Sequence, residues 1–169
     1  QIKFGNNSLA HTATTDVIGA NFHFTSNVDS RDSGNGRLSL SFWYYPTKFD
    51  VAVNGATVMW TDRFKIYQRE TGNIVFASGS GSIENTTQLN LNQWNFIRVE
   101  QYNTDATISV NGTASNTLNT ANPIMFFAGD VLKLGADTAG AGFIPTQKES
   151  FEGYLDHLTL NLTGDNAVS

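Results

Sequence analysis

The chain has no cysteine among its 169 residues, so disulfides, thiolate nucleophiles and Cys-based metal sites are excluded, while secretion is not. Basic residues are scarce as well, with ten Lys and Arg against fifteen Asp and Glu and a net charge of -5. They are scattered and form no run. Nucleic acid and anionic membrane surfaces both need clustered Lys and Arg, so no nucleic-acid partner is expected. No apolar stretch approaches the roughly 20 residues a membrane helix needs, and no membrane insertion is expected. The three histidines, His11, His23 and His157, show no HExxH or other paired spacing, and no GxSxG turn exists. The chain opens at Gln1 without Met, which fits a processed secretory chain or a piece of a longer protein.

What the sequence does contain favours turns between short strands. Fifteen Gly, with abundant Asn, Thr and Ser, are poor for helices and good for tight bends. The organising stretch is Arg37 to Pro46, RLSLSFWYYP. Leu38, Leu40, Phe42 and Tyr44 recur at every second position, so a pleated strand puts them on one face and Ser39, Ser41, Trp43 and Tyr45 on the other. Pro46, without an amide donor, closes the strand at a sheet edge or rim. The chain length suits one domain, residues 1–169, with a single core.

Taken in order, Ile2 to Phe4 and Ser8 to Ala10 read as short strands around a Gly5-Asn6-Asn7 turn, and Val17 to Phe24 as a weakly alternating strand. Asn27 to Gly36 is a loop by composition. Val51 to Val53 enters an Asn54-Gly55 hairpin that returns as Thr57 to Trp60. Phe64 to Gln68 and Ile74 to Ala77 form a second hairpin, and SGSGS at Ser78 to Ser82 reads as a flexible surface loop. In LNLNQWNFIRVEQY, Leu89 to Tyr102, the alternation changes phase between Phe96 and Ile97, which predicts a bulge or a switch from loop to strand. Thr107 to Val110, Ile124 to Phe127 and Val131 to Leu134 are further strands, and Gly135 to Thr146 is a Gly- and Ala-rich loop. The last strand, Phe151 to about Leu162, has Leu158, Leu160 and Leu162 inward, but Phe151 and Leu155 need a bulge or twist to join them. Roughly a dozen strands at even spacing predict an all-β, two-sheet antiparallel β-sandwich of jelly-roll type.

The succession FWYYP, a hairpin, LNLNQWNFIRVEQY, ATISVNG, VLKLGAD and FEGYLDHLTL resembles the laminin-G-like, or concanavalin A-like, jelly rolls over about residues 2 to 162. That resemblance implies the fold and leaves the ligand open, because the fold carries lectins, adhesion modules, glycan-cleaving enzymes and virion surface domains. The enzyme branch places catalytic carboxylates on one strand as Glu-x-Asp-x-Glu, facing one cleft. No such run occurs here. Glu149, Glu152 and Asp156 come nearest, and their spacing in an extended chain splits them between faces. Catalysis is therefore not expected. The resemblance implies for Asp156 a structural role, holding a neighbouring turn.

Calcium is the cofactor the resemblance implies, held on the sandwich rim by Asp and Asn oxygens and backbone carbonyls. One candidate site is the loop with Asp29, Asp32 and Asn35, where Arg31 is an opposing charge. Another joins Asn92, before Trp94, to Asp137. The plainer reading of both is Asx-rich turns making local backbone bonds. Sugar binding needs a flat ring beside planar amides or carboxylates. The candidates are Trp43 and Tyr45 on the second face of the central strand, Trp60 with Asp62 and Arg63, and Tyr67 with Gln68 and Arg69. Trp94 and Phe42 are expected in the core, with Tyr154 partly so. Four sequons begin at Asn6, Asn85, Asn111 and Asn161, and chance alone produces several in so Asn- and Thr-rich a chain.

Two functions fit these residues. In one, the domain is a non-catalytic extracellular, cell-surface or virion-surface recognition module, binding a glycan or a partner's surface through rim loops with calcium's help. In the other it is a structural or assembly domain of a phage or virion surface or fibre protein, packed against neighbouring domains or sister chains.

Overall fold

Period-two burial sets the architecture. In a computed structural model, which describes residues 2–3, 9–11, 21–24, 28–29, 37–49, 55–135 and 151–163, Arg37–Pro46 forms one unbroken strand. Leu38, Leu40, Phe42 and Tyr44 are each at most 1% exposed, and Trp43 between them is 39% exposed. The described strands, in chain order, are β1 (Ile2–Lys3), β2 (Leu9–His11), β3 (Asn21–His23), β4 (Val28–Asp29) and β5 (Arg37–Pro46). They continue with β6 (Ala56–Thr61), β7 (Phe64–Gln68), β8 (Ile74–Ser78), β9 (Gly81–Glu84), β10 (Asn95–Tyr102) and β11 (Asp105–Val110). The remainder are β12 (Thr113–Ala114), β13 (Leu118–Asn119), β14 (Met125–Phe126), β15 (Val131–Leu134) and β16 (Gly153–Thr163).

These strands make an all-β, two-layer sandwich. The first sheet runs β1-β16-β5-β10-β11-β12, with β2 also on β16 and β13 also on β11; the second runs β3-β15-β6-β7-β8-β9; and β14 pairs with β4. All described pairings are antiparallel. The inward residues of β5, β10, β11 and β16 meet Val58, Met59, Phe64, Ile66, Phe76 and Leu132 of the second sheet in one core. Each such side chain contributes about 1.5–3 kcal/mol through burial.

Three local devices shape the first sheet. Pairing of β10 with β5 is continuous from Asn95 opposite Tyr44 to Tyr102 opposite Arg37, so the phase change before Ile97 is a loop-to-strand switch and not a bulge. In β16 the register shifts between Asp156 and Thr159, where His157 and Leu158 together oppose Phe42. That bulge is the predicted device that lets Leu155, Leu158 and Leu160 all point inward. Gly153 has φ +147, and a Cβ there would collide with the carbonyl oxygen of Tyr45, so the start of β16 requires glycine.

Two expectations fail in this region. SGSGS is no flexible loop: Gly79-Ser80 turns tightly between β8 and β9, with Ser78 opposite Gly81. Only Ile83 of β9 is buried, and one inward residue gives no readable alternation. Trp94, expected in the core, is 41% exposed, and the inward place falls to Asn95. Phe42 is buried as expected. The expected Gly5-Asn6-Asn7 turn, the Val51 to Val53 strand, and most of the Asn27 to Gly36 and Gly135 to Thr146 loops lie outside the described residues.

Among the polar contacts that join the two sheets is a buried one between β5 and β7. Tyr44 of β5 donates its hydroxyl hydrogen to Gln68 Oε1 of β7 at 2.5 Å, and Gln68 Nε2 donates to the Lys48 carbonyl at 2.9 Å. Tyr44 also meets the Phe151 ring edge-on at 5.5 Å between centroids. Burial pushes the Tyr44 phenol far above its ordinary value. The folded chain thus holds the neutral form, and this contribution to stability is complete below about pH 10. Above that pH the unfolded chain ionises and stability falls, by up to about 1.4 kcal/mol per pH unit. Tyr44→Phe, which strands Gln68 Oε1, is expected to cost about 1–3 kcal/mol at neutral pH and to shallow the decline above pH 10. Urea titrations across pH 7 to 12 check this; an alkaline slope unchanged by the substitution contradicts it.

Candidate functional site

The outward residues of β16, β5 and β10 form the most exposed aromatic surface among the described residues. Tyr154 of β16 lies opposite Tyr45 of β5, and one rung further on Asp156 of β16, Trp43 of β5 and Phe96 of β10 lie side by side. Tyr45 is flanked by two edge-on rings, Trp94 at 5.5 Å and Tyr154 at 5.7 Å between centroids, while Trp43 tilts against Phe96 at 5.2 Å. Trp43, Trp94 and Tyr154 are 39%, 41% and 39% exposed. Packing within the cluster orders the rings without hiding them.

Trp94 owes its position to Asn95. The buried Asn95 amide donates to the carbonyls of Asn90 at 3.0 Å and Gln93 at 2.9 Å, and its Oδ1 accepts from the Asn90 amide at 2.9 Å. Asn111 at the β11–β12 turn adds a bond from its Nδ2 to Asn95 Oδ1 at 3.2 Å. The loop before β10 is therefore pinned from beneath, with its tryptophan on top.

Beyond the rings the same face becomes polar. A groove of about 450 Å³ is lined by Arg37, Ser39, Arg98, Glu100, Tyr102 and Asn161, with Leu38 and Gln101. Arg98 pairs with Glu100 at 2.6 Å, and the Arg37 guanidinium lies 5.0 Å from the centre of the Tyr102 ring.

The other sugar-binding candidates are held differently. Trp60 is only 5% exposed, and its Nε1 has no hydrogen-bond partner among the described residues; Lys133 Nζ sits 5.5 Å from its ring centre. Asp62 Oδ2 accepts the Val131 amide at 2.7 Å. Arg63 grips Asp130 through Nε at 2.8 Å and Nη2 at 2.9 Å, and stacks 4.7 Å above Phe127. Both residues thus fasten the β6–β7 turn to the 127–131 segment. Tyr67 is 4% exposed beneath Arg69, which lies 5.5 Å from its ring centre. Burial raises the Tyr67 phenol above its ordinary value, and the Arg69 charge partly offsets this. Gln68 is the buried partner of Tyr44.

Of the calcium candidates, Asp32, Asn35 and Asp137 lie outside the described residues, and Asp29 is described only as a β4 residue opposite Met125. Asn92 is exposed at φ +56 and donates its amide to the Pro46 carbonyl at 2.8 Å. Among the described residues no three His, Asp or Glu side chains cluster as metal ligands. Glu149 also lies outside them, and Glu152 is half-buried. Asp156, expected to hold a turn, takes the His157 amide on Oδ1 at 2.7 Å and so holds the β16 bulge. Of the sequon asparagines, Asn85 is buried with its amide bound to the Ile108 and Thr113 carbonyls.

With this geometry in place, the comparisons with known proteins agree on the scaffold. Residues 19–161 match the laminin-G-type family model described as the concanavalin A-like lectin/glucanases superfamily, and the chain belongs to that family. Its fold is similar to that of the heptameric SAP-like pentraxin from Limulus polyphemus, with TM-score 0.58, 15% identity, and coverage of 90% of this chain and 74% of that one. It is similar also to domains LG4-5 of the mouse laminin alpha1 chain, with TM-score 0.59, 16% identity, and coverage of 96% of this chain and 48% of that one. A third likeness is to the botulinum neurotoxin serotype D/C binding domain, with TM-score 0.51, 14% identity, and 73% and 32% coverage. The chain thus spans about half of the laminin pair and a third of the toxin domain. No curated protein matched. At these identities the likeness concerns fold alone.

Removing the pin under the aromatic loop separates scaffold from surface. Asn95→Ala is expected to cost about 1–3 kcal/mol and to weaken the near-ultraviolet dichroism of Trp94, because the Asn90 and Gln93 carbonyls lose their buried donor. Trp94→Ala, at an exposed ring, is expected to cost less than about 1 kcal/mol. Chemical denaturation and near-ultraviolet spectra check both; an Asn95→Ala protein as stable as the parent contradicts this account of the loop.

Proposed function

We propose that the chain is a non-catalytic recognition module that binds carbohydrate on the aromatic face of its first sheet. The observation that carries this reading is the ordered cluster of Trp43, Tyr45, Trp94 and Tyr154 with three rings about two-fifths exposed. Contiguous exposed apolar surface on a folded chain marks an interaction site. Here the rings alternate with groups that form hydrogen bonds, Asp156 beside Trp43 and then Ser39, Arg98, Glu100 and Asn161 in the groove. A sugar ring has the matching character, an apolar face that stacks on an aromatic and a rim of hydroxyls that seeks polar partners. The polar groove extends the platform along β5, giving room for more than one sugar.

The recognition site moves in this reading from the rim loops to the sheet face, and from Trp60, Asp62, Arg63 and Tyr67 to Trp43 and Tyr45, joined by Trp94 and Tyr154. The setting is extracellular, or the surface of a cell or virion, with this chain as one module among neighbouring domains. Catalysis is left out because Asp156 is engaged at the bulge, and Glu100, the carboxylate on the same face in the groove, is paired with Arg98.

Probing a printed array of hexose, hexosamine and uronate oligosaccharides tests this. The chain is expected to bind a defined subset, and Trp43→Ala to weaken that binding about tenfold, the loss of roughly 1.4 kcal/mol of stacking. No binding on the array, together with a stable oligomer on a sizing column, contradicts the reading and favours an assembly domain packed against sister chains.

Calcium belongs to this proposal only as a rim element separate from the sheet face. Chelator is therefore expected to leave array binding at the aromatic face intact, and binding abolished by chelator contradicts that separation. An ion bound by Asp32, Asn35 or Asp137 in the folded chain alone must raise its melting temperature, so a midpoint unmoved by millimolar calcium removes the cofactor from the account.

A further inference from the structure

The bulge in β16 does more than change the phase of the strand. Tyr154 faces outward, Leu155 inward, Asp156 outward, and then His157 also faces outward before Leu158 returns to the core. Two consecutive polar residues are thus presented on the aromatic face beside Trp43. His157 reaches this position with φ +50, a left-handed conformation that disfavours side chains with a Cβ and that glycine adopts freely. A bulge serving the core alone is met more cheaply by glycine. Strained non-glycine backbone next to an exposed cluster of rings is the kind of outlier that accompanies ligand contact.

The polar geometry is also set. Asp156 Oδ1 accepts the His157 backbone amide at 2.7 Å and lies 3.1 Å from His157 Nδ1. The same oxygen therefore fixes both the bulge and the imidazole. With Nδ1 held against the Asp156 carboxylate, Nε2 is the ring nitrogen left for a ligand hydroxyl. The side chain is 66% exposed, and Nε2 has no partner among the described residues.

We infer that Asp156 and His157 are the polar arm of the aromatic platform, with His157 Nε2 hydrogen-bonding a hydroxyl of the sugar stacked on Trp43. Trp43 supplies the apolar contact, His157 reads the rim of the ring, and Asp156 positions His157. This inference rests on the carbohydrate reading and names a residue of the same site. It makes His157 a residue that selects among sugars, because a stacked ring lacking a hydroxyl at that edge forfeits the bond.

The test uses the full chain and its His157→Gly, His157→Asn and Trp43→Ala variants, with the same oligosaccharide array as probe and thermal melting as a second readout. His157→Gly relieves the left-handed backbone, so its melting temperature is expected to equal or exceed that of the parent, while array binding falls about fivefold or more. His157→Asn, which also tolerates this conformation, is expected to keep stability and to change which oligosaccharides bind. Binding unchanged in both His157 variants, with Trp43→Ala still impaired, overturns the role of His157 and leaves the platform standing. A His157→Gly protein that melts well below the parent also overturns it, since the residue then serves the fold. Binding unaffected by Trp43→Ala, or absent from the parent, removes the carbohydrate reading and this inference with it.

Discussion

The structure depends on β5 being paired along both edges while its two faces live in different solvents. With β10 on one side and β16 on the other, its backbone amides and carbonyls are satisfied within the sheet, and the strand has no freedom to slip. A slip of one residue would exchange Leu38, Leu40, Phe42 and Tyr44 with Ser39, Ser41, Trp43 and Tyr45. The register that builds the core therefore also builds the aromatic face. Placement of a recognition surface on such a strand gives it the rigidity of the core for no additional ordering cost.

The second face gains its chemistry from departures from regular structure. Asn95 takes an inward position that a large apolar residue would normally fill, and spends its amide on the loop that lifts Trp94 into solvent. The bulge at His157 and the glycine at 153 adjust β16 so that Tyr154 and Asp156 stand beside β5 without disturbing the inward leucines. On the opposite sheet the polar residues are consumed internally. Arg63 with Asp130 and Asp62 with the Val131 amide tie turns together, which accounts for their clustering in the sequence without invoking a ligand.

Much of this was legible in the residues. The alternation in RLSLSFWYYP predicts β5 and the outward place of Trp43 and Tyr45, and the leucine phases of the last strand predict its bulge. The run of motifs from FWYYP to FEGYLDHLTL points to the laminin-G-like sandwich that the family match bears out. What the sequence concealed has physical causes. Trp94 looks like a core residue because tryptophan usually is one, but the inward phase of Ile97 and Val99, carried back two residues, makes Asn95 the inward neighbour and sends Trp94 outward. That signal was present and was outweighed by composition. Trp60 and Tyr67 lie on strands buried on both faces, where alternation carries no information about exposure. The strand β9 offers one apolar residue, too few for any periodicity.

The pleat of β5 and the Asn95 pin expose Trp43 and Trp94 as a platform, while Trp60 lies on a strand buried on both faces. Acrylamide quenching of three single-tryptophan variants, each retaining Trp43, Trp60 or Trp94 with the others changed to Phe, measures this directly. The account predicts strong quenching of Trp43 and Trp94 and near-complete protection of Trp60. A protected Trp43, or a Trp60 as accessible as the other two, would contradict it.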